Sequence, residues 1–586
     1  MEQDLYHCNE GHAAFIGLER LHKLINFKNF TFAESLEIVR ASTLFTTHTP
    51  VPAGHDAFNE DLIMAYLGHY PERLKISLLE FLSLGKANPN DKSEKFSMSL
   101  LAVSISQEVN GVSWLHGEVT KEMFEYLWKG YYADELFIGY VTNGVHYSTW
   151  AAKEWKELYE KEFGKGFLND LSNKDYWSKI HKVSDKRIWE IKQNQRQHFV
   201  DYIISRLDSD RVKRRDDPKE ILKIKSILNP NALTIGFARR FATYKRGNLL
   251  FRDLEMLAKL VNNPDMPIQF VYAGKAHPND TGGQGIIKQI VEISKRPEFI
   301  GKIIFLENYD IQLAQRLVQG VDIWLNTPTR PLEASGTSGM KAVMNGVLNF
   351  SVLDGWWVEG YKKNAGWALD QRQTYQNEDF QNDLDSATIY RLLENEIAPM
   401  FYRRDKNNIP VEWVKYIKNC IAEIAPEFTT KRMIDDYTER FYTKLGKRSI
   451  EMAANDFEMA KKIASWKKRV SRGWDSIDVV SLNFHDTVKD PLFLGERYYG
   501  EVVLDLKELS DTKIGIEMII TESRTDGTTK IVDITELKLM KLQDRKAYYE
   551  IELLPPRPGN FNYGLRVFPK NESLPHRQDF CYIKWI

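Results

Sequence analysis

Short apolar runs alternate with helix-period segments through the middle of the chain. The runs are rich in Val, Ile and Phe: TIGFA (234–238), IQFVYAG (268–274), KIIFLE (302–307), VDIWLN (321–326) and VLNFSVL (347–353). Strands and helices that alternate at this spacing predict a doubly wound α/β domain with a parallel sheet. Ligands bind beyond the carboxyl ends of the strands in such sheets. We therefore expect functional residues directly after these runs.

The segments on either side of this region have different patterns. Residues 1–150 predict mostly helices, with one or two strands, of which the apolar run 42–46 is one. After about residue 475 the alternation has period two, in VVSLNFH, GEVVLDLKEL, KIGIEMIITES, KAYYEIELLP and NFNYGLRVFP. This pattern is typical of an antiparallel β-sandwich. The predicted domains are 1–150, 151–474 and 475–586.

Composition and charge exclude several classes of protein. The 586 residues are 43% hydrophobic and 27% charged, which is globular, and the net charge of -1 argues against nucleic acid or an anionic membrane as partner. No apolar run approaches the roughly 18 residues of a membrane span, and the first residues do not resemble a secretory signal. Cys8, Cys420 and Cys581 lie too far apart to indicate a disulfide framework or a metal site. We expect a soluble cytoplasmic protein without a metal.

The densest chemical motif is PLEASGTSGMKAVMNG (331–346), which follows the run VDIWLN and opens a predicted helix. Its small residues allow a ligand to approach the backbone, and the N–H groups at a helix start favour anions. Lys341 lies one turn into the helix, where it could reach a phosphate or form an imine with a carbonyl cofactor. The alternative is a tightly packed turn with Lys341 on a solvated face.

A second motif, FARRFATYKR (237–246), follows the run TIGFA and contains four cations in eight residues. Cations at the carboxyl end of a buried strand suit an oxyanion site. The alternative is a solvated basic helix start, which is less favourable because the helix dipole disfavours cations there.

Two loop segments carry weaker signals. His48 and His55 in TTHTPVPAGH could be hydrogen-bond donors, but no third ligand at metal-site spacing accompanies them. Asn143 and Trp150 belong to a segment whose Asn-Gly pair by itself indicates only a turn.

Together these segments resemble the α-glucan phosphorylases, the pyridoxal-phosphate-dependent glycogen and starch phosphorylases, and in particular their bacterial and archaeal branch. The matching blocks occur in order: CNEGHAAF (8–15), TTHTPVPAGH (46–55), VNGVSWLHGEV (109–119), TNGVH (142–146), GFARRFATYKR (236–246), GKAHP (274–278), FLENYD (305–310) and EASGTSGMKAVMNG (333–346). The resemblance implies a two-domain glycosyltransferase fold of the GT-B type, with two Rossmann-like domains facing a cleft. It also implies retaining phosphorolysis of the terminal α-1,4-linked glucose to α-glucose 1-phosphate, with the phosphate group of pyridoxal 5'-phosphate as proton shuttle.

The resemblance also assigns residues to roles. Lys341 would form the imine, and the other cofactor contacts would be Thr337, Ser338, Arg239, Trp150 and Tyr309. Arg240 and Lys245 would hold the substrate phosphate and, with His48 and Lys341, form the catalytic group. The contacts to the sugar would be His48, Asn143, Glu333, Ser335 and Gly336, with Glu10 and His12 at the border of the pocket.

One departure from the family concerns the beginning of the chain. Family members carry a long region before the CNEGHAAF block, including a glycine-rich loop that closes over the cofactor phosphate. We therefore expect the domain 1–150 to be a truncated Rossmann-like domain with an uncovered sheet edge and apolar face. This predicts association with a separate N-terminal fragment or with further copies of the chain.

Two alternatives to an active phosphorylase stay open. The chain could be an inactive or partner-dependent fragment that binds pyridoxal phosphate or glucan. It could also be a nucleotide-sugar-dependent glucan synthase of the same fold, in which Arg240 and Lys245 serve a diphosphate and no lysine is needed at position 341.

Overall fold

A computed structural model describes residues 4–214, 218–369, 375, 377–485, 492–524, 527–555 and 557–586. These residues form two parallel sheets with surrounding helices, a group of long helices, and a pair of antiparallel sheets. The structure is thus α/β followed by an antiparallel β region. None of the described helices combines the length and the apolar character that a membrane span requires.

The first region contains more strands than its sequence predicts. The strands are β1 Tyr6–Asn9, β2 Thr43–Thr46, β3 Ala57–Phe58, β4 Phe96–Ser97, β5 Glu108–Gly111 and β6 Ile138–Tyr140. A parallel sheet has the order β1-β2-β5-β6, and β3 pairs with β4. The prediction of one or two strands was wrong because these strands are at most four residues long. The strand β5, for example, is the buried but polar sequence EVNG.

Seven helices accompany this sheet: α1 Phe15–Phe27, α2 Phe32–Ala41, α3 Glu60–Leu67, α4 Tyr70–Leu74, α5 Leu78–Leu82, α6 Met98–Ser104 and α7 Trp114–Phe124. The start of α2 is set by a capping box, in which the Glu34 amide donates to the Thr31 hydroxyl and the Thr31 amide donates to the Glu34 carboxylate. Some large apolar side chains of this region are open to solvent, and Phe27 and Tyr66 are 75% and 74% exposed. That another polypeptide covers them stays a prediction.

The second sheet is parallel throughout, as predicted. Its strands are β7 Leu233–Ala238, β8 Ile268–Ala273, β9 Ile303–Leu306, β10 Ile323–Asn326, β11 Leu348–Val352 and β12 Gly366–Leu369, in the order β12-β11-β10-β7-β8-β9. The first five correspond to the five apolar runs. The sequence did not reveal β12, which has only four residues and begins with glycine.

Helices flank this sheet and follow it. They are α8 Tyr147–Trp150, α9 Lys153–Phe163, α10 Lys174–Ser178, α11 Asp185–Arg214, α12 Pro218–Ile227, α13 Leu254–Val261, α14 Thr281–Ser294, α15 Ile311–Gly320, α16 Thr337–Val343, α17 Trp357–Gly360, α18 Glu378–Leu392, α19 Ala398–Tyr402, α20 Val411–Asn419, α21 Thr430–Tyr437 and α22 Thr443–Gly473. Non-helical backbone at Ala454–Phe457 interrupts α22. After α21 the chain returns to the first sheet, where Phe441 and Leu445 pack against Leu44 and Val141.

The last region forms two four-stranded antiparallel sheets, in agreement with the predicted sandwich pattern. The strands are β13 Asp478–Asn483, β14 Tyr498–Asp505, β15 Ile514–Ser523, β16 Thr529–Glu536, β17 Lys538–Gln543, β18 Lys546–Leu553, β19 Asn562–Pro569 and β20 Lys584–Trp585. The sheets have the orders β13-β14-β18-β17 and β16-β15-β19-β20. Val502 and Leu504 of one sheet share a core with Ile516, Met518 and Val567 of the other.

Candidate active site

A cleft of about 400 Å³ opens where the carboxyl ends of the two parallel sheets meet. His48 follows β2, Val112 follows β5 and Asn143 follows β6, so the first sheet supplies one wall. Arg239 follows β7 and the segment 332–338 follows β10, so the second sheet supplies the other. This agrees with the rule that ligands bind at the carboxyl edge of parallel sheets.

Two cations and one carboxylate meet in this cleft. The Glu333 carboxylate accepts from Lys245 Nζ at 2.5 Å and from the Arg239 guanidinium. The three side chains are only 9–12% exposed. Burial opposes ionisation of Glu333, but the two cations hold its pKa below the ordinary value. The cluster therefore carries a net positive charge.

Burial also changes the electrostatics of the lysine. The pKa of Lys245 falls to about 8, chiefly because its amine is buried and secondly because Arg239 is close, while Glu333 opposes the change. Lys245 is thus a cation that loses its charge as the pH rises through about 8. Arg240 also lines the cleft but is exposed.

The arrangement follows from the strand order. β7 and β10 are neighbours in the sheet, so the loops that follow them lie side by side. The Thr327 hydroxyl donates to the Lys245 carbonyl at 3.2 Å and joins the two loops. Arg246 points away from the cleft, since its guanidinium donates to the Thr327 and Pro328 carbonyls. Of the four cations in this motif, Arg246 is therefore a structural residue.

A buried aspartate behind the cleft fixes the position of Glu333. Asp354 Oδ2 accepts from the Glu333 amide at 2.9 Å, and its Oδ1 accepts from the Gly355 amide at 2.8 Å. Burial raises the pKa of Asp354 to about 7, although the two hydrogen bonds act to lower it. The residue that follows must be glycine, because its φ of 52° is left-handed and a Cβ would lie 2.5 Å from the Ser335 carbonyl oxygen.

The helix α16 begins at the wall of the cleft. Gly336 caps it with a left-handed φ of 85°, and Thr337 and Ser338 line the cleft. The Ser338 hydroxyl accepts from Trp324 Nε1 at 3.0 Å, whereas the buried Ser335 hydroxyl has no hydrogen-bond partner among the described residues. Within the part of the chain that the structure describes, this Ser335 hydroxyl is a buried, unsatisfied hydrogen-bonding group in the wall of the cleft.

Lys341 lies one turn further along the same helix, on the face that carries Thr337. Its Nζ is 4.1 Å from the centre of the Trp150 ring. Within the described part of the chain the amine makes neither a hydrogen bond nor an ion pair. Burial lowers the pKa of Lys341, which favours the neutral, nucleophilic amine.

The first sheet contributes hydrogen-bonding side chains to the cleft. His48 Nε2 lies 2.6 Å from Asn9 Oδ1, and the His48 amide donates to the Glu10 carboxylate at 2.7 Å. Burial lowers the pKa of His48, although Glu10 opposes this. Asn143 is fixed through its backbone, whose carbonyl accepts from Arg432 at 2.9 Å.

Direct contacts hold the two walls together. The Ser113 hydroxyl donates to the Ala334 carbonyl at 2.7 Å. The Glu359 carboxylate accepts from the Thr142 hydroxyl at 2.8 Å and from the Trp114 amide at 2.9 Å. The cleft geometry therefore depends on both sheets.

Comparison with known proteins agrees with this geometry. The family model described as "Carbohydrate phosphorylase" matches residues 1–366, and the one described as "Glycogen phosphorylase C-terminal domain" matches residues 474–586. The chain belongs to the carbohydrate phosphorylase family. These matches confirm the family that the sequence motifs indicate.

Several members of the family are similar over most of the chain. The maltodextrin phosphorylase of Thermococcus litoralis is 37% identical over 99% of this chain and 67% of its own length. The glycogen phosphorylase of Mycobacterium tuberculosis is 35% identical over 97% of this chain and 66% of its own length. That of Aquifex aeolicus is 40% identical over 75% of this chain and 62% of its own length. The chain thus spans about two thirds of the length of these relatives.

The structure brings most of the predicted site residues together. Those that line the cleft are His48, Asn143, Arg239, Arg240, Lys245, Tyr309, Glu333, Ser335, Gly336, Thr337 and Ser338. Lys341 and Trp150 form a pair beside it, Glu10 supports His48 from behind, and His12 is exposed and outside the lining. Sequence reasoning missed Tyr244, which lines the cleft, and Asp354, which holds the Glu333 amide. The signal for Asp354 was its place just after the strand β11.

Proposed function

We propose that this chain catalyses the retaining phosphorolysis of the terminal α-1,4-linked glucose of glycogen or maltodextrin, with release of α-glucose 1-phosphate. The observation that carries the proposal is the cluster of Arg239, Lys245 and Glu333 in a cleft that Arg240 and the start of α16 also line. The relatives named maltodextrin phosphorylase and glycogen phosphorylase support the same activity.

The chain's own residues suit the two substrates. Arg240, which is exposed, and the buried Lys245 supply the positive charge that orthophosphate needs, and burial strengthens the attraction at Lys245. Asn143, Glu333 and the free Ser335 hydroxyl offer hydrogen bonds to a glucosyl unit. Phosphate held beside the anomeric carbon would stabilise the oxocarbenium-like charge that develops in glycosyl transfer.

We propose pyridoxal 5'-phosphate as the cofactor. Lys341 fits it because the amine is half-buried, unpaired among the described residues and beside the Trp150 ring. Thr337, Ser338 and Arg239 would hold the cofactor phosphate, and Tyr309 would line the ring. When bound, the cofactor supplies a phosphate group that exchanges a proton with the substrate phosphate.

The proposal also covers the domain architecture, the cellular location and the partners. The two parallel sheets with a shared cleft would be the two Rossmann-like domains of a GT-B fold, 1–150 and 151–474, followed by the sandwich domain 475–586. The enzyme would act in the cytoplasm on α-glucan and orthophosphate. Its macromolecular partners would be a separate polypeptide fragment or further copies of the chain, against the exposed apolar side chains of the first region.

The test is glucose 1-phosphate release from maltodextrin and orthophosphate by the chain saturated with pyridoxal phosphate. We expect release that requires both phosphate and cofactor. If none occurs, the assay is repeated with the N-terminal segment of the T. litoralis relative added. No release in either assay would contradict the proposal, and transfer from nucleotide-glucose without pyridoxal phosphate would favour a glucan synthase.

The lowered pKa of Lys245 predicts a pH dependence. Lys245 is charged below pH about 8 and becomes neutral as the pH rises through that value, so kcat/KM for phosphate should fall above pH 8. The ionisation of free orthophosphate is the same whichever variant is assayed, so the profile is compared with that of Lys245→Arg, which stays charged. The fall should move to higher pH in the variant. An unchanged alkaline limb would show that Lys245 is not the titrating group.

A further inference from the structure

We propose that Asn345 is a positioning residue that holds the indole ring of Trp150 against the Lys341 amine. Asn345 lies four residues after Lys341, just beyond α16, and is completely buried. The inference rests on the proposed function in one respect only, namely that the Lys341 amine would bind pyridoxal 5'-phosphate.

The amide of Asn345 joins two separate parts of the chain. Its Nδ2 donates to the Trp150 carbonyl at 2.9 Å and to the Lys341 carbonyl at 3.0 Å. Its Oδ1 accepts from the Ala152 amide at 2.7 Å. One side chain thus binds the backbone of both residues that form the ring–amine contact, and both of its Nδ2 hydrogens are used.

No other residue type of this size could make these bonds. Aspartate lacks the two N–H donors, and leucine lacks both the donors and the acceptor. Either residue would leave buried backbone groups without a hydrogen bond. The role is specific to position 345. The nearby buried Asn349 donates to the Gly339 carbonyl at 3.2 Å and makes no hydrogen bond to the Trp150 segment among the described residues.

The anchored segment also reaches the cleft. Residues 141–152 cross from the first sheet to the second and carry Asn143 at one end and Trp150 at the other. The Glu359 carboxylate holds Thr142, and Asn345 holds Trp150 and Ala152. Asn345 therefore fixes the end of the crossover that faces the amine.

The contact matters because Lys341 has no other described partner. A ring face 4.1 Å from Nζ stabilises the ammonium form and covers one side of the amine. Without Asn345 the segment would keep the hydrogen bond from Gln315 Nε2 to the Thr149 carbonyl at 3.0 Å but lose its anchors at Trp150 and Ala152. The ring would then move from the amine, which would become more reactive and more accessible.

The test measures the reactivity of Lys341 in the full chain without cofactor. The protein is labelled with acetic anhydride at fixed pH, and the rate at Lys341 is followed by peptide mass spectrometry. We expect Trp150→Ala to label about two- to fivefold faster, the range that a lost cation–π contact allows. Asn345→Ala should give the same factor. The double variant should be no faster than either single variant, because both changes remove one contact.

Two further variants keep the result interpretable. Asn345→Asp keeps the acceptor for Ala152 and loses the two donors, so it should label Lys341 faster by the same factor as Asn345→Ala. Asn349→Ala is matched in burial and contacts the same helix, and its labelling rate should stay near that of the unchanged protein.

Additive effects of the Asn345 and Trp150 changes would overturn the proposal, and so would equal effects of the Asn345 and Asn349 changes. Neither result depends on cofactor or turnover, so failure here is distinct from failure of the proposed activity. Reductive trapping of the imine with added pyridoxal phosphate then asks whether the same variants alter cofactor attachment.

Discussion

Lys341→Ala is expected to abolish both covalent attachment of pyridoxal phosphate and glucose 1-phosphate release. The amine is the only group that can form the imine at the start of α16, and methyl replaces it in the variant. Imine formation is followed by absorbance and by borohydride trapping, and phosphorolysis by glucose 1-phosphate release. Both signals should vanish together.

A suitable control is Lys288→Ala, which removes an exposed lysine that pairs with Glu292 on the surface of α14. A surface ion pair of this kind contributes little to the stability of the fold, so cofactor attachment and glucose 1-phosphate release should both persist in the control. Unchanged cofactor absorbance in Lys341→Ala would refute the assignment of Lys341.

Lys245→Ala is expected to lower kcat/KM for phosphate by about 100- to 1,000-fold, the usual cost of removing one preorganised charge from a buried site. The lysine is one of two cations on Glu333, and only Arg239 would remain to hold that carboxylate. The loss should be much smaller for cofactor binding than for turnover. Steady-state rates at varied phosphate concentration give the measurement.

The matched control is Lys259→Ala, another lysine that pairs with a glutamate but has a side chain that is 68% exposed and does not line the cleft. It should leave kcat/KM nearly unchanged. A Lys245→Ala variant with ordinary phosphate dependence would contradict the role of this cluster.

Strands were predictable where they are long and apolar. The five runs between residues 234 and 353 became β7 to β11 because a strand buried on both faces needs continuous apolar side chains. Strands such as β5 and β12 have four residues and little periodicity, so only their pairing with neighbours makes them strands. For this reason the pattern of the first region predicted only one or two strands, and a Rossmann-like sheet was expected there from the family resemblance alone.

The cleft shows a similar division. Motif residues such as Glu333 and Lys245 could be named from the sequence, together with the family to which they belong. The sequence could not show that Glu333 binds Arg239 and Lys245 at once. The loops after β7 and β10, which carry these residues, are more than 80 residues apart in the chain. Spacing along the chain carries no information about such a meeting.

The sequence by itself determined the fold class, the antiparallel end of the chain, the family and the residue types of the candidate site. These features depend on hydrophobic periodicity and on short motifs, and both involve residues that are close together in the sequence. Only the tertiary structure decided that Arg246 is structural, that Asp354 supports Glu333 and that Asn345 joins Trp150 to Lys341. Each of these depends on hydrogen bonds between distant segments, and burial makes those bonds obligatory once the sheets have assembled.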